Sequence, residues 1–122
     1  MSAALTGLLL FAAAVHLPPV IGVLSRGRLE KLYGIAIADP DTEILMRHRA
    51  VMFGLLGGLL LAAACAPPLQ PAAIAAGVVN DASYIVLCRQ VGGYNANVGR
   101  VMRVDIAGLI ALLAAATLHF LM

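Results

Sequence analysis

Residues 78–87, VVNDASYIVL, place several polar side chains inside a long apolar run. A charged side chain at the centre of a membrane helix costs at least about 2.5–3.5 kcal/mol on the insertion scale. Asp81 must therefore be neutral, paired or in contact with water. In a helix, Asp81 and Tyr84 share one face, and Asn80 overlaps that face. A carboxyl group that exchanges protons, beside a phenol that binds a substrate oxygen, is typical of proton-transfer or isomerase chemistry.

Other titratable side chains occur at a similar height in three further apolar segments. His16, His48, Tyr84 and Asp105 each lie within about 7–12 Å of the basic end of their segment, at about 1.5 Å of rise per residue. We expect these groups and Asp81 to form one polar layer around a moist pocket for a lipophilic small molecule. The candidate catalytic residues are Tyr84, Asp81, Asn80 and Asp105.

Two histidines are candidate cofactor ligands. Neutral imidazole is a common axial ligand of haem iron, so His48 or His16 would suit a haem b group. The sequence has no CxxCH motif, which argues against covalent attachment of haem. It also has no HExxH, GxSxG or phosphate-loop motif, so familiar hydrolytic chemistry has no support. Cys65 is expected near the outer end of the second span and Cys88 near the inner end of the third. They should be far apart, so we expect neither a disulfide nor a metal site from them.

The composition places the chain in the membrane class. Hydrophobic residues make up 62% of the 122 residues and charged residues 11%, whereas soluble domains average about 45–50% and about 25%. Four segments have roughly the 20 residues that a hydrocarbon core requires. Backbone groups in lipid must be satisfied internally, so we expect helices. The prediction is one all-α, integral membrane four-helix up-down bundle, with spans at residues 3–24, 42–66, 71–89 and 97–121.

The distribution of basic residues predicts the topology. All eight Lys and Arg side chains lie in or beside the first and third connections. The positive-inside rule puts those connections in the cytoplasm, so both termini are expected to face outward. The charge is thus a topology signal, and nucleic-acid binding has no support. Gly54, Gly57 and Gly58 would let another helix approach closely, which favours a homo-oligomer.

Local signals predict how the segments begin and end. Pro18 and Pro19 should break the first helix near its end. Residues 29–34, LEKLYG, suit a short amphipathic helix at the membrane surface. Asp39 suits the N-cap of the second span, and Glu43 and Arg47 can pair four residues apart.

Two stretches carry a resemblance to a known family. Residues 32–58, LYGIAIADPDTEILMRHRAVMFGLLGG, and residues 91–105, VGGYNANVGRVMRVD, resemble small four-helix bacterial inner-membrane proteins. Members of that family often carry the name phosphopantetheine adenylyltransferase, but this chain lacks the HxGH motif of that soluble enzyme. The resemblance covers about a third of the chain and implies the same membrane bundle.

The layout is also similar, more weakly, to styrene oxide isomerase. That family is a trimer of four-helix chains with haem b held by a histidine near the start of helix 2, and its ferric iron acts on an epoxide oxygen. The resemblance implies His48 as the haem ligand and Tyr84 as the substrate-binding tyrosine. This chain departs from the family at Gly54, where the family has a substrate-binding asparagine.

Three classes of function therefore stay open at the level of sequence. The first is a membrane enzyme with isomerase-like chemistry on a lipophilic substrate. The second is a haem-binding protein. The third is a non-catalytic oligomeric membrane subunit or a small-solute transporter.

Overall fold

A computed structural model describes residues 2–121 and shows five α-helices and two short 3-10 helices over that range, with no strand. The all-α prediction is confirmed. The α-helices are α1 Ala3–His16, α2 Arg26–Tyr33, α3 Pro40–Cys65, α4 Gln70–Val91 and α5 Ala96–Leu121, and the 3-10 helices are Pro18–Val23 and Pro67–Leu69. Four helical stretches are long and apolar enough to cross a membrane: Ala3–Val23, Pro40–Cys65, Pro67–Val91 and Ala96–Leu121. The chain is therefore a multi-pass membrane protein.

The four long helices alternate in direction and define two ends. The end that carries α2 and the connection at residues 92–95 is called the basic end. The end that carries the Pro67–Leu69 turn is called the proline end. Exposed large apolar side chains cover the outside of all four helices, as expected for contact with lipid: Leu10, Phe11, Leu55, Leu61, Val79, Val86, Ile110 and Leu113.

The first span changes helix type where the sequence predicts a break. Helix α1 ends at His16, and the 3-10 helix Pro18–Val23 follows. Two consecutive prolines supply no N–H for the next turn of α-helix. Gly57 of α3 allows this segment to pack closely, because a Cβ there would lie 2.6 Å from Leu17 Cδ2.

Helix α2 is held at both of its ends. The Ser25 hydroxyl accepts a hydrogen bond from the Arg28 amide at 3.2 Å, and Gly34 ends the helix with φ at 64°. Leu29 and Tyr33 are buried on its inner face. The predicted amphipathic helix is confirmed.

Asparagines at the start of α5 fix α2 against the bundle. Asn95 Nδ2 donates to the carbonyl oxygens of Tyr33 and Gly34, both at 2.9 Å. Asn97 Nδ2 donates to the Lys31 carbonyl at 3.1 Å. Because the acceptors are backbone groups at the end of α2, these bonds tie the first connection to the last helix.

The start of α3 agrees with the sequence. Asp39 accepts from the Thr42 amide at 2.9 Å and from the Thr42 hydroxyl at 2.7 Å. Hydrogen bonds to the charged form hold the pKa of Asp39 below its usual value. Glu43 and Arg47 pair at 3.2 Å. The predicted N-cap and the predicted ion pair are both confirmed.

The proline-end half of the bundle contains a core of leucine and alanine. Gly77 lets α4 pack closely against α5, since a Cβ there would lie 2.6 Å from Leu112 Cδ1. Small residues at such crossings let helix backbones come together. The core consists of Leu5, Leu9, Ala12, Ala13, Leu60, Ala63, Ala64, Ala73, Ile74, Leu112 and Ala115.

Candidate functional site

A histidine and an aspartate meet in the interior of the bundle. His16 Nε2 lies 2.6 Å from Asp81 Oδ1, and the two residues are 1% and 0% exposed. His16 Nδ1 lies 2.6 Å from the Ala12 carbonyl oxygen. That oxygen can only accept, so Nδ1 carries a hydrogen. The pair is consequently either an imidazolium with a carboxylate or a neutral imidazole with a carboxylic acid, and one proton lies between them.

Each of two buried carboxyl groups retains an oxygen without a partner. Asn80 Nδ2 donates to Asp81 Oδ1 at 3.2 Å, but Asp81 Oδ2 and Asp105 Oδ2 accept no hydrogen bond from the residues at 2–121. A Cβ at Gly108 would lie 2.9 Å from Asp81 Oδ2 and 3.7 Å from His16 Cε1. Asp105 is one turn from Gly108 on α5, so it faces the same pair.

Arg49 is surrounded by aromatic rings nearer the basic end. Its guanidinium carbon lies 5.1 Å from the ring centroid of Tyr33, 4.8 Å from that of Phe53 and 5.5 Å from that of Tyr84. All three distances are within the range of cation–π attraction. Arg49 Nη1 also donates to the Tyr33 hydroxyl at 2.6 Å. Burial raises the pKa of Tyr33 above its usual value, although Arg49 opposes the rise, so the phenol is neutral at pH 7.

A cavity of about 370 Å³ opens beside Arg49. It is called the tyrosine cavity and is lined by Tyr33, Ile35, Met46, Arg49, Tyr84, Leu87, Cys88, Val91, Gly92, Tyr94 and Val98. Its walls are mainly apolar, and its polar groups are one guanidinium and the tyrosine hydroxyls. Ligand sites in proteins commonly have this size and this mixture of groups. The Tyr84 hydroxyl donates to the Val98 carbonyl across 3.5 Å, a long bond that a ligand oxygen could replace.

A second cavity of about 320 Å³ lies on the side of α1 and α5. It is called the proline cavity and is lined by Ala14, Val15, Pro18, Pro19, Leu32, Phe53, Arg100, Val101, Val104 and Asp105. Phe53 belongs to this wall, while Arg49 stacks on the Phe53 ring and lines the tyrosine cavity. These two side chains therefore separate the cavities. The tyrosine cavity contains one cation, Arg49, whereas the proline cavity contains both a carboxyl group, Asp105, and a cation, Arg100.

The structure divides the residues of the predicted polar layer into three groups. His16 and Asn80 are each hydrogen-bonded to Asp81, and Asp105 faces this group. Tyr84 lines the tyrosine cavity with Arg49 instead. The remaining residue, His48, is exposed on the outside of α3. The layer is thus polar as expected, but it is not one chamber.

Within one chain the histidines do not form a haem site. Both ring nitrogens of His16 are engaged at 2.6 Å, which leaves neither free for iron. His48 is exposed and lines neither described cavity. A haem on His48 would need a second surface to enclose it, so haem binding stays a prediction that depends on an oligomer.

Sequence reasoning assigned Arg49 to topology and did not single out Tyr33 or Phe53. Part of the signal was available, because Arg49 and Phe53 are four residues apart and share a helix face. The contact of Arg49 with Tyr33 could not be predicted, because Tyr33 belongs to a separate helix, α2. Gly108 was also missed, although it follows Asp105 by one turn.

Comparison with models of protein families, with curated proteins and with solved structures found no match to this chain.

Proposed function

We propose that the protein binds a lipophilic small molecule in the tyrosine cavity, with an acceptor oxygen of the ligand on Arg49. The observation that carries the proposal is one guanidinium among three aromatic rings at the wall of an apolar cavity. Arg49 is half-buried, and an arginine withdrawn from water in a membrane helix is costly unless something partners it. Tyr33 takes one N–H of the guanidinium, and the others have no acceptor among residues 2–121.

The chemistry of the cavity favours a carboxylate or carbonyl on an apolar body. Guanidinium N–H groups bind carboxylate oxygens strongly and directionally. The Tyr84 hydroxyl supplies a second donor, because its bond to the Val98 carbonyl is long. Leu87 and Val91 on the cavity wall are 56% and 82% exposed. The cavity is therefore open toward the lipid, the phase from which a lipophilic ligand would come.

The isomerase-like reaction expected from the sequence stays a prediction. Tyr84 lines the tyrosine cavity, but Asp81, Asn80 and Asp105 do not. A substrate on Arg49 would meet phenol hydroxyls and no carboxyl group, so we derive no proton-transfer step there. Other expectations also stay predictions. They are a homo-oligomer, a bacterial inner membrane with periplasmic termini, and the family resemblance. The alternative function, a non-catalytic subunit or a small-solute transporter, is a prediction as well.

Tyrosine fluorescence offers a direct test. The chain has three tyrosines and no tryptophan, and all three tyrosines line this cavity. A long-chain fatty acid with a nitroxide near its carboxylate should quench the emission of the purified protein in detergent, with saturation. The spin-labelled alkane without a carboxylate should quench only in proportion to its concentration in the micelle.

Two variants distinguish binding in the tyrosine cavity from attraction of the fatty acid by positive charge elsewhere on the protein. Arg49→Gln should weaken saturable quenching about tenfold or more, because a hydrogen bond to a charged group contributes about 1.5–3 kcal/mol. Arg103→Gln removes the same charge from an exposed site on α5 and should leave the binding curve unchanged. Equal quenching of wild type and folded Arg49→Gln protein would reject the proposal.

A further inference from the structure

A third cavity, separate from the proposed ligand site, lies at the basic end. It is called the basic cavity, has a volume of about 270 Å³ and is lined by Ile21, Arg28, Lys31, Leu32 and Arg100. The cations come from two helices, since Arg28 and Lys31 belong to α2 and Arg100 belongs to α5. Residues almost 70 positions apart in sequence thus place three positive charges around one cavity.

These three charges have no anionic partner among the residues that the structure describes, 2–121. The ion pairs formed among residues 2–121 are His16–Asp81 and Glu43–Arg47, and neither involves the basic cavity. Like charges that share a site repel one another, so an anion in the cavity would lower the free energy. The arrangement is also fixed in place, because Asn97 on α5 donates to the Lys31 carbonyl at 3.1 Å.

The apolar residues of the basic cavity indicate which kind of anion fits. Ile21 lies near the end of the first span and is 45% exposed, so it presents an apolar surface at the mouth of the cavity. Leu32 lies beside it and is partly buried. An occupant therefore meets positive charge on one side and the apolar membrane on the other. Phosphate is the group that arginine and lysine bind in common, and basic pockets between membrane helices bind anionic lipid head groups.

We infer that the basic cavity binds the phosphate group of an anionic phospholipid, with the acyl chains of that lipid against Ile21. Arg28 and Arg100 approach the phosphate from α2 and α5, and Lys31 adds a third charge. The bound lipid would bridge these two helices at the membrane surface. This site does not depend on a ligand in the tyrosine cavity, because no residue lines both cavities.

Native mass spectrometry of the detergent-purified protein, titrated with dioleoyl phosphatidylglycerol, tests this inference. The variant with Arg28→Gln and Arg100→Gln should bind this lipid about 30-fold more weakly than wild type, from the contribution of a basic residue to anionic-lipid binding. The matched control carries Arg26→Gln and Arg103→Gln. It loses the same two charges from the same two helices, outside the cavity, and should change affinity no more than about twofold. Equal losses in the two variants would overturn the inference.

Two further arms identify the source of the phosphate. Dioleoyl phosphatidylcholine, which is zwitterionic, should bind more weakly than phosphatidylglycerol and should respond less to the cavity variant. Soluble glycerol phosphate should bind far more weakly than the lipid, and equal binding would overturn the assignment to a lipid. If the double variant loses helical circular dichroism, a pair of single variants replaces it. Lys31→Gln removes a charge from the cavity, and Arg26→Gln is its control outside the cavity. A selective loss with Lys31→Gln supports the site, and the absence of one rejects it.

Discussion

The half of the bundle near the proline end is packed with leucine, alanine and glycine, whereas the half near the basic end buries histidine, aspartate and tyrosine and half-buries Arg49. Leu9, Leu60 and Leu112 are 0% exposed in the first half. The three described cavities are all lined by residues of the second half. The difference shows that the proline-end half closes mainly by apolar packing, with no described cavity. The half near the basic end withdraws polar and charged side chains from water, which costs free energy, and it contains cavities. Both are features of a binding site.

Polar groups also occur at the proline end, but there they join helices and line no described cavity. Gln70 is 1% exposed at the proline end and donates to the Ala63 carbonyl at 3.2 Å. His119 Nδ1 lies 2.7 Å from Gln70 Oε1. His119 is the donor, because an amide oxygen accepts. These contacts join the α3–α4 turn to the last turns of α5. None of these residues lines a described cavity, so their polarity serves the structure.

The largest effect should come from removal of the buried carboxyl group of Asp81. Asp81→Ala leaves the His16 ring buried without its partner, and the loss of one member of a buried pair costs about 3–5 kcal/mol. We expect that loss of unfolding free energy in a titration with sodium dodecyl sulphate. Ser83→Ala, on the exposed face of α4, should change it by less than about 0.5 kcal/mol. A cost near the average of about 0.6 kcal/mol for membrane hydrogen bonds would mean that the pair is ordinary helix-to-helix contact.

A smaller effect should follow from disturbance of the apolar half. Gly77→Ala places a methyl group 2.6 Å from Leu112 Cδ1, and overpacking of this kind costs about 1–3 kcal/mol. Gly58→Ala is the matched control, because a Cβ there meets nothing within 4 Å. The control should leave stability unchanged or raise it. Addition of Leu112→Ala to Gly77→Ala should cost less than the sum of the two single changes. Strict additivity would show that the two residues are not in contact.

The smallest effect concerns Tyr33 and pH. The folded pKa of this phenol is raised above the ordinary value of about 10, so the folded state holds the proton more tightly than the unfolded state does. That contribution to stability is complete below pH 10 and is lost as the pH rises through the folded pKa. Tyr33→Phe should cost about 1 kcal/mol at pH 7. It should also remove this part of the alkaline decline, as measured by unfolding at several pH values. An identical alkaline decline in the variant would contradict the assignment.

Features that depend on neighbouring residues in the chain could be predicted. The four apolar segments, the break at Pro18, the N-cap at Asp39 and the amphipathic helix at 29–34 each follow from short-range chemistry. The common height of His16 and Asp81 also followed, because rise per residue is constant in a helix.

The partners within the polar half could not be predicted in the same way. His48 and Arg49 are adjacent, and one helix residue is about 100° from the next. A small rotation of α3 decides which of the two faces the interior. The structure turns Arg49 toward Tyr33 and Tyr84 and leaves His48 exposed. That rotation depends on the contacts of the whole helix, including the approach of Leu17 at Gly57.

The sequence by itself determined that the chain crosses a membrane as a helical bundle, because continuous apolar runs of roughly 20 residues have the length of membrane helices, which satisfy their own backbone groups in lipid. It also determined that polar groups collect toward the basic end. Only the tertiary structure decided that His16 pairs with Asp81, that Arg49 meets three aromatic rings and that Gly108 makes room for a carboxyl group. Those outcomes depend on how each helix is rotated and how closely it packs, and both are set by contacts among residues far apart in the chain.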